Sequence, residues 1–312
     1  MGPQTYGAAL LSLQLAACAL GSTGSTHATY TIPSTAQLGA SSMQTRSSQG
    51  PLDGPKLDFV NGTSFDFWYF DVTSYDNKAS IVLAFYAASN YALGISPNPP
   101  SRNETINMVT IYGSFPNGTL FATQIEAGEA KVRTERDGSS GNWTGEIRMK
   151  SRSPAHYLGA PASTRDVSEE LQPNIGWANA VPDAHTFVEA NIQGSPLVFT
   201  GSGYHDKNWG NRPLNTVAKW WIWGHASVGP FSLVFWHIIS NEGSVVDNLY
   251  LTRDRKVIAL GASTLESGPG DSFTLSIDSG DNGRFRFVEE PSVPILNTTG
   301  LTRWVGTMKG AE

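Results

Sequence analysis

Two stretches gather groups that donate, accept or carry protons beside large aromatic faces. Residues 201–210 read GSGYHDKNWG, and residues 220–237 read WWIWGHASVGPFSLVFWH. The first supplies Tyr204, His205, Asp206 and Lys207, and the second supplies Trp221, Trp223, His225, Phe235 and His237. His205 and Asp206 form a donor–acceptor pair on paper, with Lys207 as a fixed cation beside them. The plainer reading is that Asp206, Asn208 and Trp209 tie down a turn through side-chain-to-backbone bonds.

Several chemistries fit these residues poorly. No G-x-S-x-G elbow is present, and Gly201-Ser202-Gly203 lacks the strand-to-helix setting of a nucleophile. His205, Asp206, His225 and His237 could converge on a metal, but H-E-x-x-H spacing is missing and the chain has a single cysteine, Cys18. We expect no metal site and no cofactor, since phosphate-cradling and dinucleotide fingerprints are also missing. The reading that remains is an aromatic cavity with a few polar groups, holding an apolar small molecule by area and orienting it by hydrogen bonds.

These residues need strands to position them. Aromatics are 11% of the 312 residues and charged groups 15%, with 32 glycines and 18 prolines, a texture that suits β-structure. A formal charge of −6 argues against a nucleic-acid partner. FDFWYFDVTS and ASIVLAFYAAS read as a hairpin, and MVTIYGSF, TLFATQIE, AKVRTER and WTGEIRMKS continue an antiparallel meander. Residues 154–185 read as a long loop or a crossing segment between two sheets, with helical periodicity only in SEELQ. Strands resume from TFVEANIQG onwards. Alternation puts Asp66, Trp68 and Phe70 on one face, and Trp221, Trp223 and His225 on another. Asp66 and Trp68 are added to the cavity lining, although Trp68 reads equally well as core.

The expected layout is a signal peptide over 1–21, a flexible arm over 22–56, an N-terminal sandwich-like domain over 57–198 and a C-terminal barrel over 199–312. The apolar run Ala8–Leu20 with its small-residue exit suits secretion, and no stretch is long enough for a membrane-spanning helix. Five N-x-S/T sequons, at Asn61, Asn103, Asn117, Asn142 and Asn297, suit a glycosylated secretory protein.

GYHDKNWG followed by WIWGHASVGPFSLVFW resembles the signature of the hydroxyneurosporene-synthase-like family, which includes carotenoid hydratases and fungal Diels–Alderases. FDFWYFDVTSYDNKASIVLAFY resembles its first strand pair. The resemblance implies an all-β fold of two domains, the second a lipocalin-like barrel, with substrate between or inside them. It implies a pericyclase of secondary metabolism, a secreted hetero-Diels–Alderase among the options, with Trp68, Trp221 and Trp223 giving shape and His205, Lys207 or His225 polarising a carbonyl. Lys207 stands where the family often has His, which counts against carotenoid hydration. The chain stops where the family usually adds a strand or two, so the barrel is expected to be incomplete. Two other readings stay open: a hydratase or epoxide/ether cyclase working by acid–base catalysis, and a lipocalin-like carrier.

Overall fold

The computed structural model describes residues 10–16, 28–101, 103–135, 140–141, 145–298 and 301–311. Cys18, the Asn142 sequon and most of the expected signal peptide lie outside them. Within the expected leader, Leu10–Ala16 forms a strand parallel to Glu129–Glu135.

Six long strands make the N-terminal sheet: β1 (Phe65–Ser74), β2 (Ser80–Ala88), β3 (Asn107–Ser114), β4 (Leu120–Glu126), β5 (Ile175–Ile192) and β6 (Ser195–Gly210). Their order is β5-β6-β1-β2-β3-β4, all antiparallel. β5 and β6 are joined by Gln193 and Gly194, both at positive φ (51° and 89°). A two-residue turn of that hand matches the right-handed twist of the strands it connects.

Three expectations differ from the structure. β5 begins inside the segment read as a loop, and SEELQ contributes a short strand, Glu170–Gln172, instead of a helix. The β5 alternation was obscured by Pro182, which cannot donate to a ladder, and the register shifts on either side of Val181 accommodate it. β6 belongs wholly to the N-terminal sheet, so the first domain runs to Gly210 and not to residue 198.

The arm is also not free. Ala28–Pro33 pairs with Glu129–Glu135, and bridges join Met43 to Leu57 and Arg46 to Ser168. Residues 41–57 thereby form a strap across one face of the N-terminal sheet, where Asp53 and Lys56 are buried.

The C-terminal half is an eight-stranded up-and-down meander, arranged as two four-stranded sheets. The first contains β7 (Ala218–Val228), β8 (Phe231–Ser240), β9 (Val245–Arg253) and β10 (Lys256–Gly261). The second contains β11 (Thr264–Ser267), β12 (Phe273–Asp278), β13 (Arg284–Thr298) and β14 (Leu301–Ala311). Leu233, Phe235, Leu249, Leu251, Leu275, Phe285 and Phe287 fill the space between the two sheets. The opposite face of β8, carrying Val234, Trp236 and Ile238, packs on Tyr69, Val82, Trp177 and Tyr204 of the N-terminal sheet. This second core joins the halves. Each large side chain in it contributes about 1.5–3 kcal/mol by leaving water.

Candidate functional site

Alternation along β1 and β6 sorts the expected residues into two sets on opposite faces of one sheet. The ladder pairs Tyr204 with Asp71, His205 with Phe70, Asp206 with Tyr69, Lys207 with Trp68 and Trp209 with Asp66. His205, Lys207, Trp68 and Asp66 therefore face the strap, whereas Tyr204, Asp206, Tyr69 and Asp71 face the C-terminal half. His205 and Asp206 point apart, so the donor–acceptor pair expected of them does not form.

The strap face is a sealed ionic cluster. Lys207 is completely buried, forms an ion pair with Asp66 and lies 3.5 Å above the Trp68 ring centroid. Burial pushes its pKa well below 10.5, with Asp53 pulling the other way. Lys56 pairs with Glu169 at 2.8 Å, and neither side chain is exposed. His205 meets the Tyr69 carbonyl through Nδ1 at 2.9 Å and Asp53 through Nε2 at 2.8 Å. Both ring nitrogens face acceptors, so the imidazole needs both protons. Burial resists that charge, but the Asp53 carboxylate outweighs it and the pKa is raised. Three carboxylates thus balance three cations beneath the strap. Trp68 and Trp209 complete the seal by donating to the carbonyls of Asp53 and Gln44. The catalytic roles expected of His205 and Lys207, and the substrate contacts expected of Asp66 and Trp68, are not supported by this placement. All four side chains are buried beneath the strap.

On the other face, solvent reaches the layer at His225 and Asp71. His225 Nε2–H donates to both oxygens of Asp71, at 2.9 and 3.0 Å, and the two side chains are 16% and 13% exposed. Tyr69 donates to Asp71 at 2.7 Å. The His225 ring stacks on Tyr204, with centroids 4.4 Å apart and planes 13° from parallel. Trp223 stands edge-on to Tyr69 at 5.4 Å and donates to the Tyr204 hydroxyl at 3.3 Å. Asp206 lies beneath this layer. It accepts from Tyr204 at 2.8 Å, Trp177 at 2.9 Å and Asn208 at 2.7 Å, while burial lifts its pKa to about 6. It orients Tyr204 and does not itself reach the open face.

With Nε2 committed to Asp71, Nδ1 is the His225 nitrogen left to exchange a proton. An imidazole backed by a carboxylate and bordered by π-faces can protonate a bound oxygen and then stabilise positive charge on carbon.

The remaining expected residues disperse. Trp221 packs at the margin of the joining core. Phe235 is buried between the two C-terminal sheets, and His237 pairs with Asp247 at 2.5 Å beside Trp220, away from the His225 face. A recess of about 20 Å³ lies on the strap side, lined by Trp68, Phe85, Asn107 and Val132 among others, with room for about one water. Of the sequons, Asn61 is buried and its amide is fully engaged, donating to the Gly39 carbonyl and accepting from Thr63 and Ser64. Its amide nitrogen is therefore not presented for glycosylation. Asn103, Asn117 and Asn297 are exposed.

Sequence reasoning missed Tyr69, Asp71, Trp177 and Arg303. Tyr69 and Asp71 were available from the alternation in FDFWYFD, had its other face been followed. Arg303 lies on β14, outside every motif singled out above, and only the tertiary fold brings it to Tyr69.

Residues 27–148 and 139–285 match the family model described as Diels-Alderase-like. A quinolone epoxide rearrangement protein of Emericella nidulans is 33% identical over 252 residues, covering 72% of this chain and 67% of that protein. One from Penicillium thymicola is 34% identical, covering 68% and 66%. A Diels-Alderase of Phaeosphaeria nodorum is 26% identical, covering 77% and 74%. The chain thus spans about two thirds of the two quinolone epoxide proteins. The crystal structure of CghA with Sch210972 superposes with a TM-score of 0.61 at 16% identity, covering 97% of this chain and 94% of that one, which establishes the shared fold.

Proposed function

Since the chain belongs to the Diels–Alderase-like family, we propose that it is an isomerase that rearranges one apolar, epoxide-bearing secondary metabolite at the His225–Asp71 face. The observation that carries this reading is the dyad itself: a carboxylate-backed imidazole, partly open to solvent, in contact with Tyr204 and beside Trp223. The nearer relatives named for quinolone epoxide rearrangement support the same chemistry.

His225 gives a proton to the epoxide oxygen as the C–O bond breaks. The carbocation left behind lies beside the Asp71 carboxylate, whose negative charge favours it. A migrating or closing carbon then quenches the cation, and the proton released returns to the imidazole. Substrate and product are isomers, and no water is consumed.

Cycloaddition is the second reading. The close group of Tyr69, Tyr204, Trp223 and Trp236 favours it, because such walls can hold a flexible polyene in a near-attack conformer. A secretory route is supported by the apolar run Ala8–Leu20 and by the exposed sequons.

The test is incubation of the purified chain with a racemic epoxide of an aryl quinolone in ¹⁸O water. The proposal expects an isomeric product without label and loss of turnover in Asp71→Asn. A labelled diol would show hydration instead. Binding without any change of product would identify a carrier. Turnover indifferent to Asp71→Asn and flat from pH 5 to 9 would move the assignment to cycloaddition.

A further inference from the structure

We infer that Arg303 is the substrate's oxygen anchor, and that the substrate therefore carries a planar, conjugated carbonyl or enolate. This inference rests on the reading that the His225–Asp71 face is the substrate face.

Arg303 lies near the start of β14 and reaches the Tyr69–Trp223 pair from the C-terminal half. Its guanidinium carbon is 4.3 Å from the Tyr69 ring centroid and 5.1 Å from that of Trp223. Those two rings also flank the His225 dyad, so cation and dyad share one face. The Arg303 Nε is buried and has no hydrogen-bond acceptor. Tyr86, Tyr112 and Asp71 lie within its electrostatic reach. Stacking on rings uses the guanidinium's faces; along its edge Tyr112 makes one side-chain hydrogen bond, and Nε is the nitrogen left without an acceptor. The edge carries the N–H donors, and a buried donor without an acceptor is costly.

A bound oxygen in the plane of the guanidinium would satisfy that donor. The two rings favour a flat ligand, and the fixed cation favours an oxygen bearing delocalised negative charge. Arg303 also falls beyond the residues matched by the family model, which end at 285. The anchor is thus a feature of this chain's last hairpin and would narrow the choice of substrate.

A simpler role exists, in which Arg303 only staples the last hairpin to the sheet. Binding of three flat probes separates the two. The full chain is titrated with 4-hydroxy-2-quinolone, its 4-methoxy derivative and naphthalene, following tryptophan fluorescence. The anchor predicts that the wild type prefers the hydroxyl compound over the methoxy one by roughly 10-fold or more. It predicts that Arg303→Met and Arg303→Lys erase this preference and leave naphthalene affinity within about two-fold. Equal loss for all probes in variants that remain folded would reduce Arg303 to a staple. Wild-type protein that binds naphthalene with no preference for the hydroxyl probe would overturn the anchor alone, without needing any variant. Protein that binds none of the three would overturn the substrate face together with the anchor.

Discussion

Replacing Lys207 with Met should unfold the protein more readily without touching its chemistry. The ammonium is completely buried against Trp68 and paired with Asp66, which is itself 1% exposed. Removing it leaves Asp66 with one described donor, the Lys56 backbone N–H at 2.9 Å. Breaking one side of a buried pair typically costs about 3–5 kcal/mol. That is a large part of the about 5–15 kcal/mol that a folded domain has to lose. Asp66→Asn combined with Lys207→Met removes both charges, so the pair should be coupled and the double variant should recover at least half of the loss. Urea unfolding followed by tryptophan fluorescence measures all three variants. Turnover per folded molecule should stay within a few-fold of wild type. If Lys207→Met abolished turnover while leaving the unfolding free energy intact, the strap face would be the catalytic one and the assignment to His225 would be wrong.

Four further expectations follow from the geometry. Asp71→Asn and His225→Asn should each lower turnover by about 10²–10⁴-fold, the usual worth of a placed acid–base group, and kinetics corrected for the folded fraction measured by urea unfolding on the same preparations check this. The buried His156, with its pKa lowered to about 4 by burial, is neutral in the fold, so its contribution is full above pH 6.5 and about 3 kcal/mol is lost as pH falls through 4. Asp206, raised to about 6, has the opposite sign: its contribution is full below pH 3.8 and is lost as pH rises through 6. Asp206→Asn should therefore steepen the rise of stability with pH between 4 and 6, and parallel wild-type and variant curves would refute this. In protein made through a secretory host, glycopeptide mass spectrometry should find Asn117 occupied and Asn61 bare, and a glycan on Asn61 would contradict its buried, fully bonded amide.

The fold was legible because period-two patterning is strong wherever a strand has one buried and one open face. FDFWYFDVTS and FSLVFWHIIS are bulky on both faces, and each does lie between two packed layers. The pattern failed at β5, where Pro182 forces a bulge and the alternation is lost. The site was half legible. GYHDKNWG was singled out as one unit, and a motif read so hides the fact that a strand sends neighbouring side chains in opposite directions. Tyr204 and Asp206 went to the face that packs on the C-terminal half, and His205 and Lys207 went under the strap. Residue type also misled: His, Asp and Lys together suggest catalysis, yet the same trio neutralises itself when water is excluded. Arg303 could not be found from spacing, since its partner Tyr69 lies on the first long strand and only the packing of the halves brings them together.

The compartment beneath residues 41–57 carries an evolutionary constraint. Its acids and bases cancel one another, and a lone change would strand a charge where little water is at hand to solvate it. Drift there should proceed in matched steps, with positions 66 and 207, 56 and 169, and 53 and 205 changing as couples across descendants of the same ancestor. A lineage carrying His in place of Lys207 should show its compensating change among those same six positions.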